Sequence, residues 1–120
     1  MGDRGNIVIE KDGDHFESPI FFYTHWTGSD IKETLQSALI KGESRWDDPQ
    51  YLSRVIFCGL VGNDDGITGY GITTCLCDNE HNLLCVNMKD KTVTERKPNK
   101  AADGEMVQKW TFEDYVKVEF

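Results

Sequence analysis

Four short stretches of the sequence carry residue types that could do chemistry. The first is Tyr23-Thr24-His25-Trp26, followed by Thr27-Gly28-Ser29. It falls between an expected strand and an expected helix, where free backbone amides favour an anion. It fits a binding corner in which Trp26 stacks and His25 donates a hydrogen bond. It also fits a structural corner, with Trp26 in the core and His25 on a loop carbonyl. The second stretch is Arg45-Trp46 with Tyr51 and Arg54. Tyr51 and Arg54 stand one helical turn apart. An arginine on an otherwise apolar helix stays charged and must find a partner. That partner is an internal carboxylate, such as Asp47 or Asp48, or the phosphate or carboxylate of a ligand.

The third stretch is Gly66-Ile67-Thr68-Gly69-Tyr70-Gly71, with Thr73 and Thr74. Its glycines let a backbone approach something closely. It lacks the Gly-Lys-Ser/Thr of a P-loop and the pattern of a dinucleotide turn. The alternative is a plain strand entry beneath a helix. The fourth is Asp78-Asn79-Glu80-His81, readable as metal ligands but expected as a solvated hairpin loop. Catalysis has little support. No serine or cysteine sits in a nucleophile elbow. His25 is the best general-base candidate, with no nucleophile paired to it, so no catalytic residue is assigned. The candidate ligand-binding residues are His25, Trp26, Arg45, Trp46, Tyr51, Arg54, Tyr70 and Thr73.

The four cysteines are Cys58, Cys75, Cys77 and Cys85. Their neighbours are apolar, and the chain can build a core without staples. On a strand, the sulfurs of Cys75 and Cys77 would share one face about 7 Å apart, too far for an easy bridge. The spacing also lacks the paired C-x2–4-C of zinc sites. Four reduced core cysteines are expected, with no metal and no cofactor.

The elements that must position these residues read as follows. Residues 6–10 and 20–26 are β-branched and aromatic runs, forming an N-terminal β-hairpin across a turn-rich loop at 11–19. Asp30 or Ser29 caps a first helix, Asp30 and Glu33 forming a capping-box-like pair, with Ile31, Leu35, Ala38 and Leu39 on one face and Gly42 as the stop. Asp48-Pro49 starts a second helix over residues 49–61. It is apolar nearly all round and is expected to lie centrally. Strands at 70–77, 83–88 and 92–96 make an antiparallel β-meander. Residues 97–104 look mobile, and 105–120 hold a strand and a short terminal helix capped by Thr111. The expectation is one α+β domain over residues 1–120, its core at 6–96, with the helices on one face of the sheet.

The class boundaries follow from charge and length. Thirteen Lys and Arg stand against 21 Asp and Glu, a net charge of −8. That opposes direct nucleic-acid binding and docking on anionic lipid. No apolar run approaches the ~20 residues of a membrane span. No signal-peptide core opens the chain, so a cytoplasmic location is expected.

The run FYTHWTGSDIKETLQSALIKGESRWDDPQYLSRVIF, followed by TGYGITT and DNEH, resembles a small family of phage, plasmid and bacterial proteins of unassigned activity. The shared pattern is YTHW-x-G, RWDDP-x-YL-x-R-x-IF, TGYGI-x-T and DNE. It spans roughly residues 6–96, matching at His25, Trp26, Arg45, Trp46, Asp48, Tyr51, Arg54 and Tyr70, and leaves the tail after 97 outside. The resemblance implies the setting of small mobile-element proteins, which often counter host defence, and a host-cytoplasmic location. It implies no mechanism.

Three functions from different classes are compatible with these readings. The first is a non-catalytic binder that sequesters an anionic, nucleotide-like immune signal, built as a homo-oligomer. The second is an acidic inhibitor that contacts a host defence protein, in the manner of an anti-CRISPR protein or a nucleic-acid mimic. The third is a small hydrolase using His25. The first accounts best for the arginines and rings together.

Overall fold

The central strand β1, Gly5–Glu10, is buried along its whole length. Ile7 and Ile9 face one side of the sheet and Val8 faces the other, each 5% exposed or less. That two-sided burial explains why the run reads NIVIE with no exposed polar position. The computed structural model describes residues 2–10, 19–62 and 68–120. The expected loop at 11–19 therefore falls mostly outside the described residues, as do Gly66 and Ile67 of the third stretch.

Strand β2, Ile20–Thr24, pairs antiparallel with β1. Helices α1, Ile31–Lys41, and α2, Pro49–Val61, follow. Strand β3, Tyr70–Thr73, returns to pair with β2. Strand β4, Leu83–Asn87, crosses over and runs parallel to β1. Strands β5, Thr92–Arg96, and β6, Met106–Thr111, complete an antiparallel meander with β4. The last element is α3, Phe112–Tyr115. The sheet order is β3-β2-β1-β4-β5-β6, an α+β fold with a mixed sheet. The expected meander of 70–77, 83–88 and 92–96 is corrected in one respect. β3 pairs with β2 at one edge, not with β4, and ends at Thr73.

All three helices cover one face. Leu35, Ala38 and Leu39 of α1, Leu52, Ile56 and Leu60 of α2, and Phe112 and Tyr115 of α3 pack there on Ile7, Ile9, Phe22, Leu84, Val86 and Val93. Gly59 of α2 lies against Ala38 of α1, and the lack of a side chain lets the two helices close in. The starts of α2 and α3 form as the sequence indicates. Asp48 accepts the Tyr51 N–H, and Thr111 accepts the Asp114 N–H. Asp30 makes no such cap with its side chain. A 3-10 turn over Gly28–Asp30 leads into α1 instead.

The placement of α2 differs from expectation. It is not central. Leu52, Ile56 and Leu60 repeat every four residues and are its buried stripe, while Tyr51, Arg54 and Cys58 face out. A single inward stripe is enough when only one side of a helix meets a sheet.

The core also runs past residue 96. Trp110, Tyr115 and Phe120 pack ring on ring, and the Tyr115 hydroxyl donates to the Lys32 carbonyl at 2.8 Å. The turn at 97–104, expected to lack core contacts, buries Ala102 beside Val8, Phe21, Leu83 and Cys85. Arg96 donates to the Gly104 carbonyl, and Lys97 N–H donates to the Glu105 carbonyl. No helix among the described residues is long and apolar enough to cross a membrane.

Candidate functional site

The candidate residues fall into two clusters and two isolated places. His25, Trp26 and Tyr70 form an aromatic corner at the β2–β3 edge. The His25 ring meets Trp26 edge-on at 5.6 Å, and Trp26 meets Tyr70 edge-on at 6.1 Å. Tyr23 Oη shares a 2.9 Å hydrogen bond with His25 Nδ1. The backbone of the corner is fixed as well: His25 N–H donates to the Gly69 carbonyl at 2.8 Å. Gly69 has φ +95, and a Cβ there would stand 2.1 Å from the Trp26 ring. Glycine is required on both counts. Trp26 is 48% exposed, so it is not the core residue of the structural alternative.

The anion expected at this helix start comes from the protein itself. Asp3 Oδ2 accepts from the Ser29 N–H at 2.9 Å and also from the Ser29 hydroxyl. Its other oxygen pairs with His81 Nε2. The Ser29 hydroxyl, the His81 ring and the Ser29 amide together hold the Asp3 carboxyl down to about 2, well below its ordinary value. The stretch 78–81 does not close a hairpin, since β3 and β4 are not neighbours, and although Asp78 and Glu80 are exposed it is tied to the N-terminal strand. Asn6 Nδ2 donates to the Asp78 carbonyl, and Arg4 and Glu80 exchange two hydrogen bonds at 2.9 Å. Ser29 and His81 stand in two of the stretches singled out above, but their meeting at Asp3 escaped the sequence reading because 26 and 78 residues separate them from it. The one signal for them was the helix start itself, which calls for an anion from somewhere. Histidine does not lie between serine and aspartate, so this is no catalytic triad.

The second cluster lies on the outer side of α1 and α2. Tyr51, Arg54 and Cys58 face outward there and line an open groove of about 690 Å³ together with Lys41, Gln50, Val55, Gly59 and Gly62. The Arg45 guanidinium stands 4.5 Å over the Tyr51 ring. Arg54 Nε donates to Cys58 Sγ at 3.3 Å. No described carboxylate forms an ion pair with Lys41, Arg45 or Arg54. The described ion pairs use Lys32, His81, Lys91 and Lys97 instead. Asp47 pairs with Lys91 at 2.8 Å, and Asp48 caps α2. Arg54 is exposed, so it carries no large desolvation penalty.

The remaining two candidates lie apart. Trp46 is structural: Nε1 donates to the Leu39 carbonyl at 3.0 Å and the ring packs edge-on to Phe112. Thr73 pairs with Phe21 on the face away from the helices and holds Cys75. The groove on α2 is lined by none of the corner residues. Among the described residues, the His25 ring meets Tyr23 and Trp26, and no serine or carboxylate side chain is paired with it.

Cysteine placement is corrected as well. All four are free, but only Cys85 is a core residue, its thiol pushed up to about 12 by burial. Cys58, Cys75 and Cys77 are exposed. Among the described residues, no group of three His, Cys, Asp or Glu side chains could hold a metal ion. Compared with known proteins, the chain matches no family model, no curated protein and no solved structure.

Proposed function

We propose that the protein is a binding protein for a nucleotide-like anion, seated in the groove on the outer side of α1 and α2. One observation carries the reading. In a chain of net charge −8, Lys41 and Arg54 line a groove with Tyr51, Arg45 stacks on that ring, and no described carboxylate neutralises any of the three. Guanidinium groups grip phosphate with two prongs, and an exposed tyrosine ring offers a stacking surface for a base. The groove is open, so a second copy of the chain closing over it would complete the site. The resemblance to mobile-element proteins gives this binding its purpose, sequestration of a host immune signal without turnover.

A thermal-shift screen of the full chain against cyclic nucleotides and ADP-ribose derivatives tests the reading. Ligand at a hundredfold over Kd adds about 2.7 kcal/mol to the folded state. A raised melting temperature is expected, with intact ligand recovered after heat denaturation. No shift with any anionic nucleotide overturns the reading. Recovery of a cleaved product instead supports the hydrolase.

A further inference from the structure

Cys75-Leu76-Cys77 lies just past the end of β3, in a segment with no ladder partner. A continuing strand would hold side chains two residues apart at about 7 Å. Here the chain bends, and the two sulfurs stand 3.5 Å apart. Leu76 between them packs inward against the Val8–Phe21–Leu83–Cys85 cluster. With the middle residue anchored, both thiols are left on the solvent side. Thr73 Oγ1 accepts the Cys75 N–H at 3.3 Å and lies 3.5 Å from the Cys75 sulfur. Beside the pair, Cys77 lines a cleft of about 170 Å³ with Asn6, Tyr23, Gly71, Ile72, Thr73 and Asp78.

We infer that Cys75 and Cys77 are a dithiol–disulfide couple that exchanges electrons with low-molecular-weight disulfides, Cys75 attacking and Cys77 resolving. The roles follow from what each sulfur meets. The Thr73 hydroxyl and the Cys77 thiol both stabilise a thiolate at Cys75 and lower its pKa. The same contact with Cys75, helped by the charge of Asp78, raises that of Cys77. The thiolate is the attacking form, so Cys75 reacts first.

The exchange balances in two steps. Cys75 thiolate attacks one sulfur of the small disulfide, whose S–S bond breaks and expels one thiolate. Cys77 then gives its proton to water, and its thiolate attacks the Cys75 sulfur. The mixed disulfide breaks and expels the second thiolate. Two protein thiols are oxidised to one disulfide, and one small disulfide is reduced to two thiols. The bridge closes across a single residue, a tight ring, and strained bridges are the more easily reduced ones. The product is therefore reversible by excess thiol.

The test treats the full native chain with glutathione disulfide, quenches with acid, alkylates under denaturing conditions and maps the products by mass spectrometry. Wild type is expected to lose two alkylatable thiols as a Cys75–Cys77 disulfide carrying no adduct. Cys77→Ser is expected to stop at one glutathione on Cys75. Cys75→Ser is expected to leave Cys77 no faster to react than Cys58, the exposed thiol on α2. Stable glutathione adducts on both Cys75 and Cys77 of wild type would overturn the inference. So would equal adduct rates in the two serine variants. Both residues are exposed, so circular dichroism of each variant should match wild type.

Discussion

The face of the sheet under the helices and the face under the loops both exclude water, but with different material. Under the helices, Leu35, Leu39, Leu52 and Ile56 are 0% exposed and meet an apolar floor of Ile7, Phe22, Leu84 and Val86, with buried Thr24 and Glu95 as its polar members. Under the loops, the apolar set shrinks to Val8, Phe21, Leu83, Cys85 and Ala102, with Leu76 at its margin. The ladder residues around that set are polar: Asn6, Glu10, Asn87, Thr92 and Thr94 are all buried. Helices repeat their apolar residues and can cover a wide floor. Loops supply one apolar residue at a time, and the polar remainder has to be satisfied group by group. Stability therefore concentrates on the first face, and chemically adaptable groups such as Thr73, Cys75 and Cys77 collect on the second.

The same truncation made on the two faces measures that difference. Leu52→Ala removes a fully buried side chain of α2 and should cost about 2–5 kcal/mol. Leu76→Ala removes a side chain that is only partly buried at the edge of the second cluster, and should cost about 1 kcal/mol. Urea melts of both variants give the comparison. Equal losses would mean that the loop-covered face is as stabilising as the helical one.

That asymmetry also decides what the sequence could reveal. The helical face is legible because its signals are local: Asp48-Pro49 marks the start of α2, and residues 31, 35, 38 and 39 give α1 its inward stripe. The loop-covered face has no period to read. Ala102 sits in a polar stretch, and nothing near it announces burial. The pairing of β4 with β1 rather than β3 is a long-range choice that local patterning leaves open. Residues of the candidate site were legible as types, arginine and aromatic, because such groups stand out in an acidic chain. Their distribution was not. Trp46 and Tyr51 are five residues apart, yet one packs against the core and the other faces solvent.

Asp3 ties the two coverings together, through Ser29 before α1 and His81 before β4. Its carboxyl is held near 2 in the folded chain against 3.8 in the absence of those contacts. The native state thus keeps Asp3 ionised to lower pH than the unfolded chain does. The resulting stabilisation is complete above about pH 4 and is lost as pH falls from 3.8 toward 2. Asp3→Asn should lower the melting temperature at neutral pH, and the gap to wild type should narrow between pH 4 and 2. A gap that stays constant through that range would mean that the carboxylate contributes no charge-dependent contact. The cluster is near solvent, so the effect should be smaller than that of Leu52→Ala.

The smallest effect on stability belongs to Arg54, on the outward side of α2. Had the guanidinium been buried, its removal would have separated an internal ion pair from a waiting ligand site by stability alone. It is exposed, bonds to Cys58 Sγ and meets no described carboxylate, so Arg54→Ala should leave apo stability close to that of wild type under either reading. The deciding measurement is binding. A phosphate gripped by two prongs needs the fork of arginine, whereas long-range attraction needs only its charge. Arg54→Ala and Arg54→Lys should therefore both lose the thermal shift given by a nucleotide ligand, while Lys41→Ala should weaken it only in part. If Arg54→Lys keeps the full shift, the groove attracts anions without recognising them. If Arg54→Ala also keeps it, the ligand sits elsewhere, and the His25–Trp26–Tyr70 corner becomes the place to look.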